Sequence, residues 1–210
     1  GEAMRKFLQS LVFGGLLVGF GAALANQPLV DVEWVKNAIG KPGVLFLDVR
    51  GRLSGNSKTS YLRAHIPGAV YTDYLKDGWR DKDKNGTPAM LPSVDKLEKL
   101  IGGLGIDNAT QVVIIPQGAK ALDMGTATRV YWTFKVLGHD KVSILNGGMV
   151  AYTKAVDKKT KKPLNPLEKG MIKPAPKMFK ANLRQDMIVT KADVEAALGG
   201  SVTLVDNRPN

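Results

Sequence analysis

At 210 residues, 44% of them hydrophobic, the chain is long enough for one full domain and part of another, and too apolar to be globally disordered. Its formal charge of +11 favours anionic contacts, but no nucleic-acid-binding motif accompanies it, so a solvated basic surface is the simpler reading and no nucleic-acid partner is expected. With no cysteine in the sequence, disulfides, cysteine-ligated zinc, redox pairs and thiol nucleophiles are excluded within this chain.

Near the start, Met4 is followed by Arg5 and Lys6, then by an apolar run from Phe7 to Leu24 that closes in Ala23-Leu24-Ala25. A short cationic region, an apolar stretch and a small-x-small end form the pattern of a cleavable signal peptide. Residues 1–25 are read as that signal, cleaved after Ala25, with Gly1–Ala3 as extra residues before Met4. An uncleaved anchor is the alternative. Export would place the mature chain in the periplasm, with no stable membrane span after cleavage.

Val30 to Ile39 reads as a short amphipathic helix, capped by Asp31 and stopped by Gly40 and Pro42. Val44 to Val49 is an apolar run between glycines, a buried strand ending in Asp48-Val49-Arg50. A polar loop covers Gly51 to Thr59, and Pro67-Gly68 is a turn leading into a strand at Ala69-Val70-Tyr71. The acidic spacing from Asp81 to Gly86 matches half of a calcium loop, but Pro92 stands where a bidentate Glu is required, so a solvated turn is expected and no metal site. Ser93 to Ile101 reads as a helix closed by Gly102-Gly103; the glycines there follow a helix rather than a strand, which excludes a dinucleotide fingerprint. No cofactor is implied.

The most informative stretch is Val112 to Val136. A buried strand, Val112 to Ile115, runs into a loop, Pro116-Gln117-Gly118-Ala119-Lys120, and then into a helix through Arg129, Trp132 and Phe134. A helix start directly after a strand offers free N–H groups and a positive dipole end, a place for an anion or a reactive group. A last strand, Val142 to Leu145, ends in the turn Asn146-Gly147-Gly148. Strands alternating with helices imply an α/β domain with a mainly parallel sheet over residues 27–155.

Residues 156–184 are rich in Lys and Pro, a composition expected to resist packing and to stay extended as an interdomain linker. Its lysines also suggest peripheral attachment to anionic lipid. At residues 185–210 the pattern restarts. Val189 to Val194 echoes Val30 to Val35, and Val202 to Arg208 echoes Val44 to Arg50, with Asp206 and Arg208 in the places of Asp48 and Arg50. The offset is 159 residues at the helix and 158 at the strand, which is read as an internal repeat cut off early.

Taken together, Leu47-Asp48-Val49-Arg50, Ala64-His65-Ile66-Pro67-Gly68-Ala69, Leu91-Pro92-Ser93, Leu104-Gly105-Ile106 and Leu145-Asn146-Gly147-Gly148 resemble the rhodanese (sulfurtransferase) family in its two-domain, exported form. The resemblance implies a five-stranded, mainly parallel sheet flanked by helices, plus the start of a second copy. It also implies a first domain that has lost the catalytic cysteine and a second that carries it. That cysteine takes a sulfane sulfur from thiosulfate or 3-mercaptopyruvate and passes it to a thiophilic acceptor. Pro116 stands in the nucleophile's place, so residues 116–120 are expected to be a retired active loop, with no catalytic residue in this chain. With the repeat spacing kept, the nucleophile would lie near position 274 of a longer chain, an approximate placement. Asp48, Arg50, His65, Pro67, Gly68, Asp206 and Arg208 are expected to be structural motif residues. His65 is expected to be a hydrogen-bonder with no matching carboxylate, and Trp132 and Phe134 to pack in the core or at a domain interface. Ala64 replaces the usual glycine, and Ser60 stands where Glu is common, which puts the usual pairing of that Glu with Arg50 in question. The partner implied is the chain's own C-terminal catalytic domain together with a small sulfur-containing anion. A catalytically inactive binding or regulatory module, holding an anion or a partner at the 116–120 loop and the basic linker, is the alternative.

Overall fold

The computed structural model describes residues 27–206. The signal-peptide expectation and Arg208 lie outside the described residues. Among the described residues, five parallel strands form one sheet: β1 (Leu29–Val30), β2 (Val44–Asp48), β3 (Val70–Tyr71), β4 (Gln111–Ile115) and β5 (Val142–Leu145), in the order β1-β5-β4-β2-β3. The helices are α1 (Val32–Ala38), α2 (Lys58–Arg63), α3 (Val94–Gly103), α4 (Ala121–Val136), α5 (Gly148–Thr153) and α6 (Lys191–Ala197).

The central strands read as unbroken apolar runs because both faces of the sheet are covered. Alternate residues point to opposite faces. Leu47, Val112, Ile114 and Ile144 pack under α3 and α4 with Leu97, Ile101, Val130 and Phe134. Phe46, Val113, Ile115 and Leu145 pack under α1 and α5 with Val35, Ala38, Met149 and Tyr152. Phe134 is fully buried, and its truncation to Ala would cost about 3–5 kcal/mol.

Several boundaries differ from the sequence reading. Val30 belongs to a short edge strand that pairs with Leu145, so the first helix begins at Val32; Asp31 caps it by accepting from the Trp34 N–H at 2.7 Å. The loop expected at Gly51 to Thr59 holds a 3-10 turn at Arg52–Ser54 and the start of α2 at Lys58. The third helix continues through Gly102-Gly103 instead of closing there. Gly102 is required inside it because the Lys177 carbonyl passes where a Cβ would sit. Gly148 opens α5 rather than ending a turn.

The expectation that residues 156–184 resist packing is corrected. Residues 156–164 fold back as a short hairpin, and residues 165–184 run extended but bound to the domain. Phe179 is buried in the core against Phe134 and His139. The Lys177, Asn182 and Arg184 N–H groups donate to the carbonyls of Gly102, Leu137 and Val136. Arg184 forms a two-pronged pair with Asp140 at 2.9 and 2.6 Å, and Lys177 pairs with Asp107 at 3.2 Å. Composition argued against packing, but one buried phenylalanine and a set of matched carboxylates outweigh it.

Beyond it, α6 forms with Thr190 as its cap, bonded reciprocally with Asp193. Residues 203–206, expected as a strand, have no regular structure.

Candidate functional site

In a parallel α/β sheet the loops at the C-terminal strand ends converge at one rim. Here that rim is formed by the segments after β2, β3, β4 and β5. At the end of β2, Asp48 and Arg50 are both buried and grip each other. Arg50 Nε donates to both carboxylate oxygens at 3.0 Å, and Nη2 lies 2.8 Å from Oδ2. The Arg50 backbone N–H also donates to Asp48, and Nη2 reaches the Ala64 carbonyl at 2.7 Å. Burial pushes the Asp48 carboxyl upward against the opposing pull of Arg50. Every bond here is internal, so the pair braces β2 against the turn that follows α2. No hydrogen bond joins Ser60 to Arg50; the Ser60 hydroxyl accepts from the Ser57 N–H.

The next turn, Ile66 to Ala69, is closed by an Ala69 N–H bond to the Ile66 carbonyl at 2.9 Å, with Gly68 at φ +77° after Pro67. Those two residues supply the fixed and the positive φ that a type II turn demands. His65 is fully buried and stacks on Tyr61 at 4.1 Å. Its Nδ1 faces the Tyr61 carbonyl at 2.8 Å, which makes Nδ1 the N–H donor; Nε2 lies 3.8 Å from Glu168 Oε2 and makes no hydrogen bond. The expectation that no carboxylate matches His65 is therefore corrected. Glu168 also accepts from the Gly68 N–H at 2.7 Å, and its backbone bridges to His65 in both directions. Tyr61 completes the lock, donating its O–H to the Ala69 carbonyl while accepting from the Ile172 N–H.

Residues 116–120 form the loop after β4. Gly118, at φ +81°, lies so close to Gly147 that an added Cβ would overlap the Gly147 carbonyl; a Cβ on Gly148 would meet the Pro116 carbonyl. The Pro116 and Gln117 carbonyls accept from Met149 and Val150. The Gly147-Gly148 pair is thus the surface on which the loop lies. Two of the loop's own donors are already used. The Ala119 and Lys120 N–H groups both donate to Asp123 Oδ2, at 2.8 and 3.0 Å, and Asp123 is 1% exposed. The helix-start cradle that would suit an external anion holds a carboxylate of the chain itself. Asp123 Oδ1 and Gln117 Oε1 are buried without partners. They border a cleft of about 10 Å³ with Arg52, Ser54, Asp73 and Tyr74, room for about one water.

Phe134 lies in the core, whereas Trp132 is half-buried beneath the Arg129 guanidinium at 4.6 Å. Asp206 is exposed at the far end of the described chain and lies on residues that join no sheet. Among the described residues no cluster of His, Asp and Glu could hold a metal ion. At the Asp81–Gly86 turn, Asp83 accepts from the N–H groups of Asn85 and Thr87, and Asp81 pairs with Lys96. A larger cavity of about 340 Å³ lies at the opposite, N-terminal end of the sheet, beside Trp34, Val44, Gln111 and Lys141.

Two residues that shape the rim were missed in the sequence. Asp123 had a signal, an acidic residue in the first turn of a helix. Glu168 had none, since 100 residues separate it from Gly68.

Residues 31–155 match the family described as rhodanese-like domain. A thiosulfate sulfurtransferase of Bos taurus is 34% identical over 191 residues, covering 87% of this chain and 59% of that protein. A 3-mercaptopyruvate sulfurtransferase of Homo sapiens is 30% identical over 179 residues, covering 82% of this chain and 56% of its own length. Among solved structures, the 3-mercaptopyruvate sulfotransferase SseA from Escherichia coli aligns with a TM-score of 0.64 at 24% identity, over 82% of this chain and 63% of its own. The chain spans about three fifths of the length of these curated relatives. By its matched domain, its parallel five-stranded sheet and its curated relatives, this chain belongs to the rhodanese family.

Proposed function

We propose that this chain is the N-terminal, non-catalytic portion of a periplasmic sulfurtransferase, one that moves sulfane sulfur from thiosulfate or 3-mercaptopyruvate to a thiophilic acceptor. The observation that carries it is the loop after β4. Pro116 offers neither a nucleophile nor an N–H, and the Asp123 carboxylate takes the N–H groups of Ala119 and Lys120. A thiolate or a bound anion at this loop would compete with Asp123 for those two donors. The domain's part is to pack against a catalytic domain supplied further along the parent chain and to wall its substrate site. The signal-like residues 4–25 support export. Support for a second copy comes from α6: its cap and its helix fall 159 residues after those of α1, and Gly40 and Gly199 follow the two helices at φ +74° and +76°.

The test is thiocyanate production from thiosulfate and cyanide by the purified chain. The expected result is no turnover above buffer; turnover would overturn the reading. The alternative, an anion-binding module using the 116–120 loop, predicts a thermal shift with millimolar sulfate or thiosulfate. The occupied cradle weighs against it.

A further inference from the structure

Two sets stand apart among the cations of residues 154–184, with Lys169 and Lys173 between them in sequence. Lys177, Lys180 and Arg184 are paired with Asp107, Glu98 and Asp140. Lys154, Lys158, Lys159, Lys161 and Lys162 are all exposed, and none of them makes an ion pair among the described residues. The second set sits on and beside a built hairpin rather than a loose run. Val156 bridges Pro163 in antiparallel fashion, and the Asp157 and Leu164 N–H groups donate to the carbonyls of Lys162 and Ala155 at 2.8 Å each. Asp157 turns its carboxylate inward onto the Lys159 and Thr160 N–H groups, and Lys161 takes a left-handed φ of +59° to close the tip. The base is fixed by Asn165 and Pro166, which bond the Tyr152 carbonyl and hydroxyl, and Tyr152 is fully buried. Beside the lysines stand two exposed aliphatics, Val156 at 42% and Leu164 at 63%.

We propose that this hairpin, Val156 to Leu164, is a docking finger for an anionic lipid surface. Clustered lysines next to exposed aliphatic side chains suit phospholipid headgroups over the acyl boundary. Between residues 154 and 169 there is no arginine and no aromatic residue, the groups that grip bases and phosphates in nucleic-acid sites. The one acid at the tip, Asp157, is taken up by the turn, so the face presented is of a single sign.

The experiment is co-sedimentation of the chain from Asn26 onward, which contains the whole described fold, with vesicles of phosphatidylcholine carrying roughly a third phosphatidylglycerol. Binding is expected to these vesicles and not to pure phosphatidylcholine, and to fall steeply between 50 and 500 mM salt. Each lysine removed should weaken it about fivefold, so Lys158→Gln, Lys159→Gln, Lys161→Gln and Lys162→Gln combined should abolish it, with melting unchanged. Removing the same charge elsewhere, at Lys76, Lys82, Lys84 and Lys99, should leave more than half of the binding. Equal loss from both sets, or binding that survives high salt, would overturn the proposal. So would duplex DNA bound more tightly than the vesicles.

Discussion

Two stretches of this chain share one local design and meet opposite fates. In the first, Asp31 caps α1 and β2 follows; Val35 and Leu47 are fully buried and Phe46 is 4% exposed. In the second, Thr190 caps α6 and residues 202–206 follow; Val194 is 40% exposed, Leu204 48% and Val205 81%. The cap, the helix length and the glycine after the helix are set locally, and both stretches have them. Strand formation and burial are not local. β2 lies between β4 and β3 and is covered on both faces, while residues 203–206 join no sheet. A short apolar run becomes a strand only where neighbours take its N–H and C=O groups.

The comparison breaks most sharply under charge substitution. Val35→Asp buries an uncompensated carboxylate and is expected to cost about 4 kcal/mol or more, enough to unfold the domain, whereas Val194→Asp should stay within about 0.5 kcal/mol. Chemical denaturation of the two variants reads this directly. Truncation gives a smaller contrast: Leu47→Ala is expected to cost about 2–5 kcal/mol, and Val205→Ala less than about 0.5. The caps sharpen it further. Asp31→Ala should lower global stability by about 1 kcal/mol, while Thr190→Ala should leave the melting temperature unchanged and speed amide exchange only within α6.

Acid acts on the segment that joins the two stretches. Thr110 and Lys177 hold Asp107 down at about 2, Arg184 and Lys135 hold Asp140 far below the carboxylate range, and the Ala181 N–H with Lys180 lowers Glu98. A depressed carboxylate stabilises the fold above its ordinary pKa, about 4, and loses that contribution as pH falls through its folded value. Loosening of residues 177–181 at Asp107 and Glu98 is therefore expected between about pH 4 and 2, before the sheet opens, with the Asp140–Arg184 contact yielding only at lower pH. Amide exchange compared at pH 6 and 2.5 would show it, and equal protection at both would refute it. The weakest effect is the exposed Lys191–Glu195 pair, whose removal should be undetectable in a melt.

Much of this was legible in the sequence. The apolar runs at Val44, Val112 and Val142 could only be buried strands, and Asp31 and the Pro67-Gly68 turn follow directly from residue chemistry. What stayed hidden depends on distance along the chain. β1 is two residues long and visible only through its pairing with β5. Phe179 and Glu168 sit in a stretch whose composition reads as a linker, and only the fold brings them to Phe134 and His65. At the rim, Pro116 was readable as a missing nucleophile. The carboxylate of Asp123 folded back onto the loop needed three-dimensional placement.

The proposed silencing of this loop is tested most directly by titrating a thiol placed there. In Pro116→Cys, with the fold checked by melting, the thiol is expected to titrate at or above the ordinary value of about 8.5, because Asp123 holds two of the N–H groups that would favour a thiolate. Adding Asp123→Ala should lower it by at least about one unit. A single variant whose thiol already titrates well below 8, or turns over thiosulfate and cyanide, would show that the cradle is open and would contradict the role proposed for Asp123 in silencing the loop.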